Sequence, residues 1–150
     1  MKLIIGCDEA AFSFKEAIKA YILEKGHEVV DKGVFDNKPV LYPDIAVAVA
    51  SAVADGEAER GILMCGTGIG MAITANKVRG IRAAVCHDSY STERAQKSNN
   101  AQIMCMGARV IGIELAKQLV DIWLMSEFSG GGSQSKVDRI GYYESNYSAK

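Results

Sequence analysis

Short apolar runs alternate along the chain with segments in which apolar residues recur every third or fourth position. Lys2–Gly6 (KLIIG) has the continuous apolar character of a strand buried on both faces. Ala10–Lys25 follows with Phe14, Ile18, Tyr21 and Ile22 at helical spacing, and Gly26 is a stop signal. Glu28–Asp31 is a second short strand. Lys32–Pro43 is irregular and holds both prolines, and Asp44 is expected to cap a helix running to about Ala54. Gly61–Met64 is a third strand, followed by a glycine-rich turn over Cys65–Gly70 and a helix to about Lys77. Arg82–Cys86 is a fourth strand, Ser89–Lys97 a helix capped by Asp88 or Ser89, and Ile103–Met106 a fifth strand. Ile111–Met125 is an amphipathic helix carrying the only tryptophan, Ser129–Ser135 a flexible linker, and Lys136–Tyr147 a short terminal helix.

Short apolar strands that alternate with helices imply an α/β architecture: a five-stranded parallel sheet covered on both faces, with a C-terminal helical tail. Ligands of such sheets bind beyond the carboxyl ends of the strands. Those ends are Asp8–Glu9, Cys65–Gly70, His87–Asp88 and Gly107–Arg109. The 150 residues make one domain, since halves of that length would bury poor cores. A net charge of −1 argues against an electrostatic nucleic-acid binder. No run approaches 18 apolar residues, so no membrane span is expected, and Asp8 and Glu9 cut short the N-terminal run that a signal peptide would need. Cys7, Cys65, Cys86 and Cys105 form no C-x-x-C pair, which argues against zinc and disulfides and for reduced thiols in the cytoplasm.

The segment from Met64 to Met71 (MCGTGIGM) carries the chemistry. Gly66, Gly68 and Gly70, between strand and helix, let the backbone approach a ligand and aim N–H groups at an anion. A phosphate, a carboxylate or a developing enediolate all fit such a cradle. Cys65 stands where it begins, and a thiol at a helix N-terminus can act as a base or a nucleophile. The pattern is neither G-x-G-x-x-G, because residue 71 is Met, nor a Walker A loop. Alone it fits a tight strand-to-helix turn equally well.

Four stretches, taken together, resemble the ribose-5-phosphate isomerase B and galactose-6-phosphate isomerase family of sugar isomerases. They are IIGCDEAAFSFKEAIKAYI, LYPDIA, GILMCGTGIGMAITANKVRGIRAAVCHDSYS and NNAQIMCMGARVIGIELAKQLVDIWL. The resemblance implies a Rossmann-like three-layer α/β/α sandwich and a homodimer or homotetramer with sites at the subunit interface, the tail from residue 129 packing on the partner. It also implies aldose–ketose interconversion through a cis-enediolate without metal or other cofactor. By the same resemblance Cys65 is the base, Gly66, Gly68, Ile69 and Gly70 hold the intermediate, and Thr67 orients the sugar. Asp8 serves ring opening and hydroxyl binding, Tyr42 lines the site, Asn99 donates to the enediolate oxygen, and Arg109 helps hold phosphate.

The departures from the family pattern bear on the substrate. Glu9 stands where the ribose-5-phosphate enzymes have His, and Ser98 replaces the His that serves ring opening. Neither His27 nor His87 replaces it by position, which leaves Glu9, water or no acid at all for ring opening. In the run Gly130–Lys136, Gly132 replaces an Arg, Ser133 a His and Lys136 a second Arg. A guanidinium grips phosphate through a bidentate fork and an ammonium only as a point charge. Arg109 and Lys136 suffice for a carboxylate. The expected substrate is therefore an open-chain or readily opened acidic sugar such as 4-deoxy-L-threo-5-hexosulose uronate. The alternatives are a ribose 5-phosphate or hexose 6-phosphate isomerase and a non-catalytic sugar-binding subunit.

Overall fold

A computed structural model describes residues 1–147. Its strands are β1 (Lys2–Cys7), β2 (Glu28–Asp31), β3 (Arg60–Cys65), β4 (Ala83–Val85) and β5 (Ile103–Gly107). They form one parallel sheet in the order β2-β1-β3-β5-β4. The helices are α1 (Phe12–Glu24), α2 (Tyr42–Ala54), α3 (Ile69–Ala75), α4 (Ser89–Lys97), α5 (Ile113–Met125) and α6 (Gln134–Tyr147). Strand residues alternate between the two faces. Leu3, Ile5, Ile62, Met64, Met104 and Met106 join the core shared with α1, α4 and α5. Ile4, Leu63, Cys65, Ile103 and Cys105 join the core shared with α2 and α3. The chain is thus the three-layer α/β/α sandwich that the strand–helix alternation and the family resemblance imply. No helix among the described residues is long and apolar enough to cross a membrane.

Because β5 lies between β3 and β4, the carboxyl ends of β1, β3 and β5 stand side by side. Cys7 is in register with Met64, and Cys65 with Gly107. The central strands run on past their expected ends: Cys65 closes β3 rather than opening the turn, and β5 reaches Gly107. β4 is shorter than expected and leaves Arg82 and Cys86 outside.

Several helix starts differ from the sequence expectation. A 3-10 turn over Glu9–Ala11 precedes α1. α2 begins at Tyr42 instead of behind an Asp44 cap. Pro43 occupies the first turn, where no N–H is required, and Asp44 lies in that turn beside the positive helix end. α3 stops at Ala75, where the Asn76 amide donates to the carbonyls of Ala72 (2.9 Å) and Ala83 (2.8 Å) and ties the helix end to β4. Arg60 ends α5 by donating to the carbonyls of Trp123 (2.6 Å) and Ser126 (2.8 Å). Within the expected linker, Gly131–Ser133 is a 3-10 turn, and α6 starts at Gln134. Val137 is the only buried residue of α6, while Ile140, Tyr142, Tyr143 and Tyr147 are exposed.

Candidate active site

β3 delivers Cys65 to the middle of the sheet's carboxyl edge. Its Sγ accepts the N–H of Gly68 at 3.0 Å, and the residue is 6% exposed. The reverse turn between strand and helix depends on Gly68, whose φ is 77°. A Cβ there would also stand 2.9 Å from the Met106 carbonyl carbon, so the loop can lie on β5 only with glycine. The loops after β3 and β5 are laced together, the N–H of Ala108 donating to Cys65 O (2.9 Å) and that of Arg109 to Gly66 O (3.1 Å). Thr67 Oγ1 accepts the N–H of Ile69 at 3.3 Å. The Tyr42 ring covers Gly70 so closely that a Cβ would meet it at 2.6 Å.

The charged side chains at this edge come from β1 and β5. Asp8 follows β1, and its Oδ1 is buried with no hydrogen-bond partner. Burial, with Glu9 beside it, raises the pKa of the Asp8 carboxyl. The amides of Ala11 and Ala10 and the Arg109 guanidinium partly offset that rise. Arg109 lies across the turn, its Nη1 3.4 Å from where a Cβ on Gly66 would stand. Glu9 is engaged elsewhere: its Oε2 accepts the N–H of Val40 at 3.2 Å and so anchors the loop that leads to Tyr42.

Ser98, Asn99 and Lys136 do not join this group. Ser98 ends α4, which runs back from the carboxyl edge over nine residues, roughly 14 Å at 1.5 Å per residue. Asn99 Nδ2 donates to Arg94 O (3.1 Å), and its carbonyl accepts from Arg82 Nε (3.1 Å), just before β4 begins. Ser98 shares a concavity of about 600 Å³ with Gly130–Ser133. Lys136 is exposed on the first turn of α6. The residues implied by the resemblance therefore divide into two clusters at opposite ends of the sheet.

His87 has a role that its sequence position did not disclose. Its Nε2 accepts the N–H of Gly107 at 2.9 Å and so fixes the end of β5 beside Cys65. Burial holds the imidazole pKa below its ordinary value, with Asp88 opposing. A base whose folded pKa is lowered contributes stability above its unfolded value, near pH 6.5, and loses it as pH falls from there through the lower folded value. His87→Phe removes the acceptor and is expected to cost about 1–2 kcal/mol near neutral pH. Urea midpoints of wild type and variant should converge between pH 7.5 and 5.5, and a constant difference over that range would refute the assignment.

A thiol, a part-buried carboxyl with one unpartnered oxygen and a glycine turn meet on one edge, an arrangement suited to moving a proton beside a carbonyl. Residues 3–140 match the sequence profile of the Ribose/Galactose Isomerase family. The chain is 55% identical over 146 residues to the D-erythrulose-4-phosphate isomerase of Pectobacterium atrosepticum, covering 96% of this chain and 95% of that one. It is 59% identical over 138 residues to the ribose-5-P isomerase B of Listeria innocua, covering 92% and 93%. The solved structure of ribose-5-phosphate isomerase B from Clostridium thermocellum superposes with a TM-score of 0.96 at 46% identity, covering 98% of this chain and 99% of that one. The chain belongs to the ribose/galactose isomerase family and is an aldose–ketose sugar isomerase.

Proposed function

We propose that this isomerase interconverts an open-chain ketose and aldose carrying an anionic group at the far end, a four-carbon sugar 4-phosphate. The observation that carries this reading is Ser98, which stands where the ring-opening His is expected. In a tetrose 4-phosphate the C4 oxygen is esterified, so no hydroxyl remains to close a furanose or pyranose and no ring-opening acid is needed. The Pectobacterium relative is named for such a substrate.

Starting from the ketose, the Cys65 thiolate takes a proton from C1, and the electron pair forms the C1–C2 double bond of a cis-enediolate. Negative charge gathers on O2 against the amides of the glycine turn. Asp8 carries a proton from the O1 hydroxyl to O2, and the Cys65 thiol returns its proton to C2, leaving the aldehyde at C1. Asn99, Ser98 and Lys136 take part from a second copy, since in their own chain α4 carries the first two to the other end of the sheet. The exposed tyrosines of α6 fit a tail that packs on that copy, and four unpaired cysteines fit the cytoplasm.

Side-by-side kcat/KM values for D-erythrulose 4-phosphate, ribose 5-phosphate and 4-deoxy-5-hexosulose uronate test the substrate. The tetrose phosphate is expected to exceed ribose 5-phosphate at least tenfold. The uronate is the second reading, favoured by Gly132 and Ser133 where basic residues stand in the family, and efficient turnover of it alone would make it the first. A mixing experiment tests the shared site. Cys65→Ala and Asn99→Ala subunits, each nearly inactive, should regain about a quarter of wild-type activity when unfolded and refolded together, because one dimer in two is a hybrid and each hybrid carries one intact site of its two. No recovery on mixing would refute a site shared between copies.

A further inference from the structure

We propose that Arg94 and Lys97 of α4 hold the terminal phosphate of the substrate, in place of the basic residues that Gly132 and Ser133 have displaced. This rests on the reading above that Ser98 and Asn99 face the active site of a second copy. Arg94, Lys97 and Ser98 line the same concavity as the Gly130–Ser133 turn. That turn brings no charge to it: Gly132 is without a side chain, and Ser133 offers only a hydroxyl. Arg94 and Lys97 are one helical turn apart, four and one residues before Ser98, and their charges fall in the same concavity as the turn whose family counterpart carries the basic residues.

Arg94 is poised for an acceptor. Its Nε is buried and has no hydrogen-bond partner, a costly condition for a donor. The guanidinium leans on the Tyr90 ring, 6.0 Å from its centroid, and Nη2 bonds Glu93 at 3.0 Å. Lys97 bonds the same Glu93 carboxylate. Glu127 also lines the concavity, and its charge acts on the Arg60 guanidinium. Glu93 thus answers one of the two positive charges and Glu127 is drawn to Arg60, so the concavity keeps an unanswered cationic charge for a phosphate. An arginine offers the fork that a phosphate fits, and the lysine adds a point charge.

The test is titration of the whole protein with inorganic phosphate, read by calorimetry, beside the KM for D-erythrulose 4-phosphate. Arg94→Gln and Lys97→Gln should each raise the phosphate Kd and the KM about tenfold or more, the loss expected for one charge-assisted contact. They should also lower the preference for D-erythrulose 4-phosphate over uncharged D-erythrulose. Glu93→Gln releases both cations and should tighten phosphate severalfold, which no loss of folding can imitate. An unchanged phosphate Kd in folded Arg94→Gln and Lys97→Gln protein overturns the proposal. So does Glu93→Gln protein that binds phosphate no better than wild type. Should the wild type bind phosphate through these residues yet isomerise no tetrose phosphate, the substrate reading fails and the anion site stands.

Discussion

Cys65→Ala is expected to lower kcat by about 10²–10⁴-fold, the range that a positioned general base contributes. The fold should survive, because the removed sulfur lies at the edge of the α2–α3 core with one hydrogen bond, from Gly68. Binding should weaken little, since the turn amides, Tyr42 and Arg109 are untouched. Cys65→Ser keeps the volume but offers a hydroxyl far too weakly acidic to serve as the base, and should be nearly as slow. The other thiols cannot stand in. Burial pushes Cys7 and Cys86 up to about 11 and Cys105 well above its ordinary value, so all three stay protonated near neutral pH. Single-turnover kinetics with substrate deuterated at C1 provide the check. A variant that retains near-normal exchange of that hydrogen with solvent would move the base to Asp8.

The site was partly legible in the sequence because its nearer half is local. Cys65 through Gly70 is one continuous strand-to-helix turn, and Asp8 and Arg109 sit at strand ends that periodicity alone locates. The farther half was not legible from residues alone, since nothing local says that β5 lies between β3 and β4, or that α4 returns Ser98 and Asn99 to the opposite edge. That they meet Cys65, in a second copy, is implied by the family resemblance alone. Asp44 misled for a related reason: an acidic residue in a first turn and one at a cap look alike until Pro43 fixes which turn is first. Lys15 is the sharpest case. Its place three and seven residues before Ile18 and Ile22 sets it on their face of α1, and it is buried with them, although a lysine is ordinarily a solvated residue. A lysine at 0% exposure has no sequence signature unless its partners are known.

Lys15→Met is accordingly expected to be strongly destabilising. All three ammonium hydrogens are used: Nζ donates to Asp31 Oδ1 (2.8 Å), Asp31 Oδ2 (2.8 Å) and the Val34 carbonyl (2.7 Å). The rings of Phe12 and Phe35 lie 5.5 and 5.3 Å from it. Removing one member of a buried ion pair costs about 3–5 kcal/mol, because the other charge is left without compensation. Here Lys19 still reaches Asp31 at 2.8 Å, so the loss belongs near 3 kcal/mol, a large share of the roughly 5–15 kcal/mol typical of a domain. The damage should reach the active site. Val34 N–H donates to Cys7 O (3.0 Å) and Cys7 N–H to Gly33 O (2.7 Å), so the loop that Lys15 holds is bonded to the residue before Asp8. A fall in kcat/KM should therefore accompany the fall in stability. The pH dependence separates this ion pair from simple packing. Burial raises the Asp31 carboxyl, but the hydrogen bonds from Lys15, Lys19 and Gly33 outweigh it and hold the pKa below the ordinary value. A lowered carboxyl contributes stability above its unfolded value, near pH 4, and loses it as pH falls toward the folded value. Wild type should therefore lose more stability than Lys15→Met between pH 5 and 3 in urea unfolding. Parallel curves would mean that the lysine acts through its aliphatic stem alone.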